Sequence, residues 1–155
     1  MTLNVHKFAA IKGRQSGDDY YTVVCEMAII PRLFLFNEAT IPTELRAQRH
    51  INKSRIPEIA RYIVDNPKNY IFSALTASID GNVSFKPLRL NGKDSEVGEL
   101  EIAGDAKLMI NDGQHRRAAI EKALTENPDL ARDTDSYSKR HLQTLILFPA
   151  RSRRC

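Results

Sequence analysis

A chain of 155 residues, 42% hydrophobic and 27% charged, has the length and composition of one globular domain, which excludes a disordered or fibrous class. A net charge of +4 permits an anionic partner without requiring one. Two cysteines, Cys25 and Cys155, make no disulfide framework or metal-ligand spacing, and no stretch nears the roughly 20 apolar residues of a membrane span, so a cytoplasmic protein without a metal site is expected.

In chain order, "MTLNVHKFAAIKGRQSGDDYY" lacks the apolar core of a signal peptide. Residues 20–36, "YYTVVCEMAIIPRLFLF", are rich in β-branched and aromatic side chains. They predict a strand broken at Pro31 and then a short apolar segment. "RAQRHINKSR" carries Arg46, Arg49, Lys53 and Arg55; taken alone, it reads as a solvated loop or helix face. In "SRIPEIARYIVDNP", Ile56, Ile59, Ala60, Ile63 and Val64 recur at three- and four-residue steps, which predicts a helix stopped at Asn66-Pro67.

"NYIFSALTASIDGN", 69–82, predicts a strand closed by the Asp80-Gly81 turn. A hairpin region follows, and its acidic, Gly-bearing middle from Asp94 to Glu101 reads as the loop tip. "GELEIAGDAKLMIN" predicts strand, Gly-Asp turn, strand. Residues 114–126 predict a helix stopped before Asn127-Pro128, and "HLQTLILF" one more strand. The expected class is α+β, a small mixed sheet with flanking helices. Residues 1–148 form its one domain, followed by a basic tail, 149–155, with Arg151, Arg153 and Arg154. The strand pattern of "LQTLILF" runs straight into that tail. The domain is therefore expected to be incomplete, an N-terminal fragment or a chain whose last seven residues are out of frame.

The chemistry concentrates in "LMINDGQHRRAAIEKAL", where a strand pattern passes into helical spacing through Asp112, Gly113, Gln114, His115 and Arg116. Asp112 has the position of an N-cap, and Gly113 allows close approach of backbone or ligand. The first-turn amides of a helix lack intrahelical acceptors and, with the helix dipole, attract an anion. His115 adds a polar ring and Arg116 a planar cation suited to phosphate, while Arg117 is a second cation aimed elsewhere. Ala118 and Ala119 let the helix lie close to a sheet. The same pattern also occurs as plain structure, and a capping Asp112 would repel an anion. With a nucleoside triphosphate bound, Asp112 would instead face a metal ion or a water.

The run Asp112-Gly113-Gln114-His115-Arg116, followed by Ala118-Ala119, resembles the signature of the DGQHR-domain family, and within it the DndB-like proteins of bacterial DNA sulfur-modification (phosphorothioation) gene clusters. "NKSRIPEIARYIVDNPKNYIFSALTASIDG" resembles the helix-strand segment upstream in that family, so the resemblance covers roughly residues 15–148. It implies a ParB/sulfiredoxin-like fold. It also implies a role in regulating the modification cluster and in binding DNA, beside other sulfur-modification proteins, and not in transferring sulfur. Carried over, Gly113, Gln114, His115 and Arg116, with Arg55, are the candidate phosphate-binding positions. Asp112 is the candidate catalytic, metal- or water-facing residue. Arg46, Arg49, Lys53 and Arg117 are the candidate DNA-facing cations. A nucleoside triphosphate with magnesium is the candidate cofactor. The alternatives are a metal-dependent nucleotide hydrolase or DNA nickase using the same turn, and a truncated chain without function.

Overall fold

A computed structural model of the chain describes residues 4–34, 52–131 and 141–149. It divides into two compact units, neither continuous in sequence: 1–25, 73–112 and 142–155 in one, 26–72 and 113–141 in the other. The first unit is a sheet and the second is helical, so the class is mixed α+β. Among the described residues, no helix is long and apolar enough to cross a membrane.

The sheet has seven strands in the order β4-β5-β1-β2-β7-β3-β6. They are β1 Val5–Gln15, β2 Asp18–Glu26, β3 Leu75–Asp80, β4 Val83–Leu90, β5 Lys93–Ala103, β6 Lys107–Asp112 and β7 Leu142–Pro149. One face is buried at every second position: Ala10 and Val23, Leu100 and Ile102, Leu75, Ala77 and Ile79, Leu145 and Leu147. Alternation of that kind is what a half-buried strand requires. β1 pairs antiparallel with β2 and β5, and β3 pairs antiparallel with β6 and parallel with β7. Tyr20 packs on Phe148 at 5.7 Å and the Cys25 thiol reaches the Gln143 carbonyl at 3.7 Å, which sets β2 and β7 antiparallel.

Several expectations are corrected. Residues 5–15 form the long strand β1, which no alternation in their polar sequence announced. The strand expected over 69–82 is confined to Leu75–Asp80. The loop tip expected at 94–101 lies instead at Asn91-Gly92. Both have positive φ (53° and 76°), the backbone of a tight two-residue hairpin turn, and the acidic residues sit within β5. As expected, β3 ends at Asp80-Gly81 and a turn at Gly104-Asp105 separates β5 from β6, though the strands these turns join are not neighbours in the sheet. β2 ends at Glu26, and residues 27–33 are helical rather than extended, with Pro31 in the first turn of the short helix α1, Ile30–Leu33. "LQTLILF" becomes an inner strand, β7, covered on both edges by β2 and β3. Residues 150–155 of the expected tail lie outside the described residues.

The helical unit contains α1, α2 (Arg55–Asp65) and α3 (Gln114–Glu126). Ala60 and Ile63 of α2 and Ala119, Ile120 and Ala123 of α3 are buried where the two helices pack together. Three of these five are alanines, and small side chains permit close backbone approach. Met27, Ile30, Leu33, Phe34 and Leu130 complete the buried apolar set of this unit among the described residues.

Candidate functional site at the start of the second long helix

Asp112 is the last residue of β6 and stands across from Thr76 of β3. The register slips just before it, since Ala77 faces Ile110, and Asn111 is the extra residue of a bulge. The Asn111 amide donates to Ser78 Oγ at 2.7 Å. Bulges re-aim the residue that follows, and Asp112 is exposed.

Asp112 is not the helix cap, contrary to the expectation from sequence. The N-cap position belongs to Gly113, and no side chain caps the helix. Gly113 has φ 107° and ψ 21°, a backbone conformation that costs an L-residue and that glycine adopts freely. One residue therefore converts strand into helix. The first intrahelical bond runs from the Arg117 N–H to the Gly113 carbonyl at 2.9 Å. Amides ahead of it belong to the first turn, where an α-helix supplies no acceptors of its own.

His115 ties the two long helices of this unit together. Its Nε2 accepts the backbone N–H of Asn52 at 2.8 Å, which leaves Nδ1 to carry the proton of the neutral ring. The Asn52 side-chain oxygen in turn accepts the Ser54 N–H at 3.1 Å, ordering the entrance to α2. Lys53 and Arg55, both exposed, flank Ser54. The structure thus brings the start of α2 beside the start of α3, and Lys53 and Arg55 into the neighbourhood of half-buried Gly113, Gln114, His115 and Arg116. Asn52 gave no sign in the sequence; 63 residues separate it from His115.

Arg117 has a different place from the DNA-facing one expected for it. It is only 8% exposed, and its Nε donates to the Phe34 carbonyl at 2.7 Å and its Nη2 to the Pro31 carbonyl at 3.2 Å. Nη1 meets the Glu121 carboxylate one turn along at 2.5 Å. The guanidinium donates to carbonyls at the end of α1 and, turned inward, presents no charge to a ligand. The spacing Arg117–Glu121 was the available signal, since residues four apart share a helix face. Arg46 and Arg49 lie outside the described residues. Among the described residues, no three His, Cys, Asp or Glu side chains gather as a metal site requires.

No curated protein and no solved structure matches the chain. A family model described as DndB, DNA-sulfur modification-associated, matches residues 8–137. That span takes in most of β1, all of β2 to β6, the three helices of the described residues and the whole Asp112–Arg116 turn. The chain therefore belongs to the DndB family of proteins associated with DNA sulfur modification.

Proposed function

We propose that the chain is an accessory, regulatory DNA-binding protein of a bacterial DNA phosphorothioation system. It works in the cytoplasm beside the proteins that carry out the modification and does not transfer sulfur itself. The observation that carries this reading is the family match across residues 8–137. The site chemistry agrees with it. Helix α3 begins at a glycine with no capping side chain, and basic residues stand at the adjoining start of α2. Such an arrangement suits a phosphate, which accepts amide and guanidinium hydrogen bonds together.

In this reading Gly113, Gln114, His115 and Arg116 hold a phosphate with help from Arg55. Asp112 faces a metal ion or a water, and Lys53, Arg46 and Arg49 draw the DNA backbone. A strand, a glycine turn and a helix presenting Arg116 support the likeness to ParB-like folds. The bound phosphate is that of a nucleoside triphosphate with magnesium or of DNA itself.

Two measurements on one preparation test this. Duplex affinity is followed against salt; the expected result is a linear fall of log affinity with log salt, as neutralised phosphates release their counterions. No duplex binding at low salt would refute the DNA reading. The melting midpoint is followed with nucleoside triphosphates and magnesium; a rise with one nucleotide, absent in Arg116→Ala, is the expected result for a nucleotide site. Release of inorganic phosphate that Asp112→Ala abolishes would replace this reading with that of a nucleotide hydrolase.

A further inference from the structure

Four rings, none of them from the Asp112–Arg116 sequence, form a continuous run in the helical unit. His141 stacks on Tyr70, with centroids 6.0 Å apart and planes 20° from parallel. Tyr70 meets Phe72 at 5.7 Å, and Phe72 meets Tyr62 of α2 at 6.0 Å. Hydrogen bonds fix the run. The Tyr62 hydroxyl accepts the Ile71 N–H at 3.1 Å, and the Tyr62 carbonyl accepts the Asn66 side-chain amide at 2.9 Å. The Tyr70 hydroxyl lies 3.3 Å from His141 Nδ1, and the His141 carbonyl accepts the Met27 N–H at 2.7 Å.

Burial accounts for only part of this order, since Tyr70 and Phe72 are half-buried. Tyr62 is 40% exposed, and Ile71, the residue that Tyr62 pins, is 85% exposed. Rings that merely seal a core edge are held by packing beneath them, with polar residues turned outward. Here a rigid aromatic edge ends in an apolar side chain standing in water. The surrounding segment is basic: between residues 52 and 72, Lys53, Arg55, Arg61 and Lys68 face solvent against only Glu58 and Asp65.

We propose that the Tyr62–Phe72–Tyr70 edge, with Ile71 at its tip, is a stacking platform for an unpaired base of single-stranded DNA. The inference rests on the DNA-binding reading above and adds to it the strand state of the DNA. Exposed aromatic rings held in place, on a segment whose cations can meet phosphates, are how single strands are gripped without base-specific hydrogen bonds; here the rings are tilted by 41° and 55° to one another, so each can offer its own edge or face to a base. An apolar peptide would use Ile71 but would gain nothing from the four cations. A closed duplex offers no base face to the rings.

The test uses the full chain. A short thymine-rich strand carrying one 5-iododeoxyuridine is bound, irradiated and digested, and the cross-linked residue is identified by mass spectrometry. In parallel, affinities for the plain strand and for its duplex are measured with Tyr62→Phe, Tyr62→Leu and Phe72→Leu. The expected result is a cross-link at Tyr62, Tyr70 or Phe72. Each leucine variant should lose about ten-fold or more in single-strand affinity with duplex affinity unchanged, and Tyr62→Phe, which keeps the ring but gives up the Ile71 hydrogen bond, should lose less than Tyr62→Leu. A cross-link elsewhere, or equal losses for strand and duplex, overturns the platform and leaves the duplex reading standing. Absence of binding to either DNA overturns both. If the leucine variants do not melt cooperatively, the cross-link in the unaltered chain decides.

Discussion

Arg116 and Arg117 are adjacent in sequence and face different surroundings, since successive helical residues diverge by about 100°. Arg117 holds two backbone carbonyls, from Phe34 and Pro31, and its pairing with half-exposed Glu121 is secondary because solvent screens it. Arg117→Leu is expected to lower stability by about 2–4 kcal/mol, read from urea unfolding, because it removes hydrogen bonds that a buried cation makes to two carbonyls, each worth about 1–3 kcal/mol. Duplex affinity, measured where the variant is still folded, should not change. Glu121→Gln should cost less than about 1 kcal/mol. Gly113→Ala is expected to cost about 1–2 kcal/mol by forcing a side chain into left-handed backbone, and Gly113→Asn less, since asparagine tolerates that region better. Only part of this was legible beforehand, through the four-residue spacing of Arg117 and Glu121. The sequence displays Arg117 as one more cation, and only a partner 83 residues away, Phe34, reveals it as structural. Gly113 was singled out correctly, but for close approach rather than for its backbone angle.

Among the elements, α2 and α3 were readable because their signals are local: an apolar stripe at helical spacing and Asn-Pro stops. β1 was not, because apolar and charged residues fall on both of its faces, with Ala10 alone buried and Val5 and Ile11 exposed, and its pairing partners lie on both sides, one of them some 90 residues away. Those charges have a function of their own. Lys7 bridges Glu99 and Glu101 across the strands, Lys86 reaches Glu101 at 3.1 Å, and Arg14 and Lys12 hold Asp19. The Arg14 hydrogen bond, helped by Lys12, keeps the Asp19 carboxyl below its ordinary pKa, and Lys86, then Lys7, does the same for Glu101. A carboxyl whose pKa is lowered on folding stabilises the folded state above the ordinary carboxylate range, and this is lost as pH falls through the folded value. The melting midpoint should therefore decline below about pH 4, and less steeply in Asp19→Asn/Glu101→Gln. Raised salt should weaken the same contribution. The hairpin tip at Asn91-Gly92 was legible in principle, since that dipeptide is the strongest short hairpin signal; the acidic run after it drew the expectation a few residues too far.

For the molecule as a whole, the family and the mixed α+β class were both accessible from one chain, the first through a five-residue run and the second through element order. The division into two interleaved units was not, because no composition break marks the crossings near residues 25, 72, 112 and 141. Both units need segments from early and late in the chain. Deletion of residues 142–149 should accordingly abolish cooperative melting, since it removes β7 from between β2 and β3 and leaves β4-β5-β1-β2 and β3-β6 as separate ribbons. That position of β7 also bears on how the protein is made. The six other strands of the described sheet precede β7 in the chain, and until residue 149 leaves the ribosome the nascent chain carries two partial sheets with bare edges at β2 and β3. Those edges are open to wrong partners throughout that interval. Synthesis in a crowded cell thus places a premium on rapid release or on a chaperone that shields them.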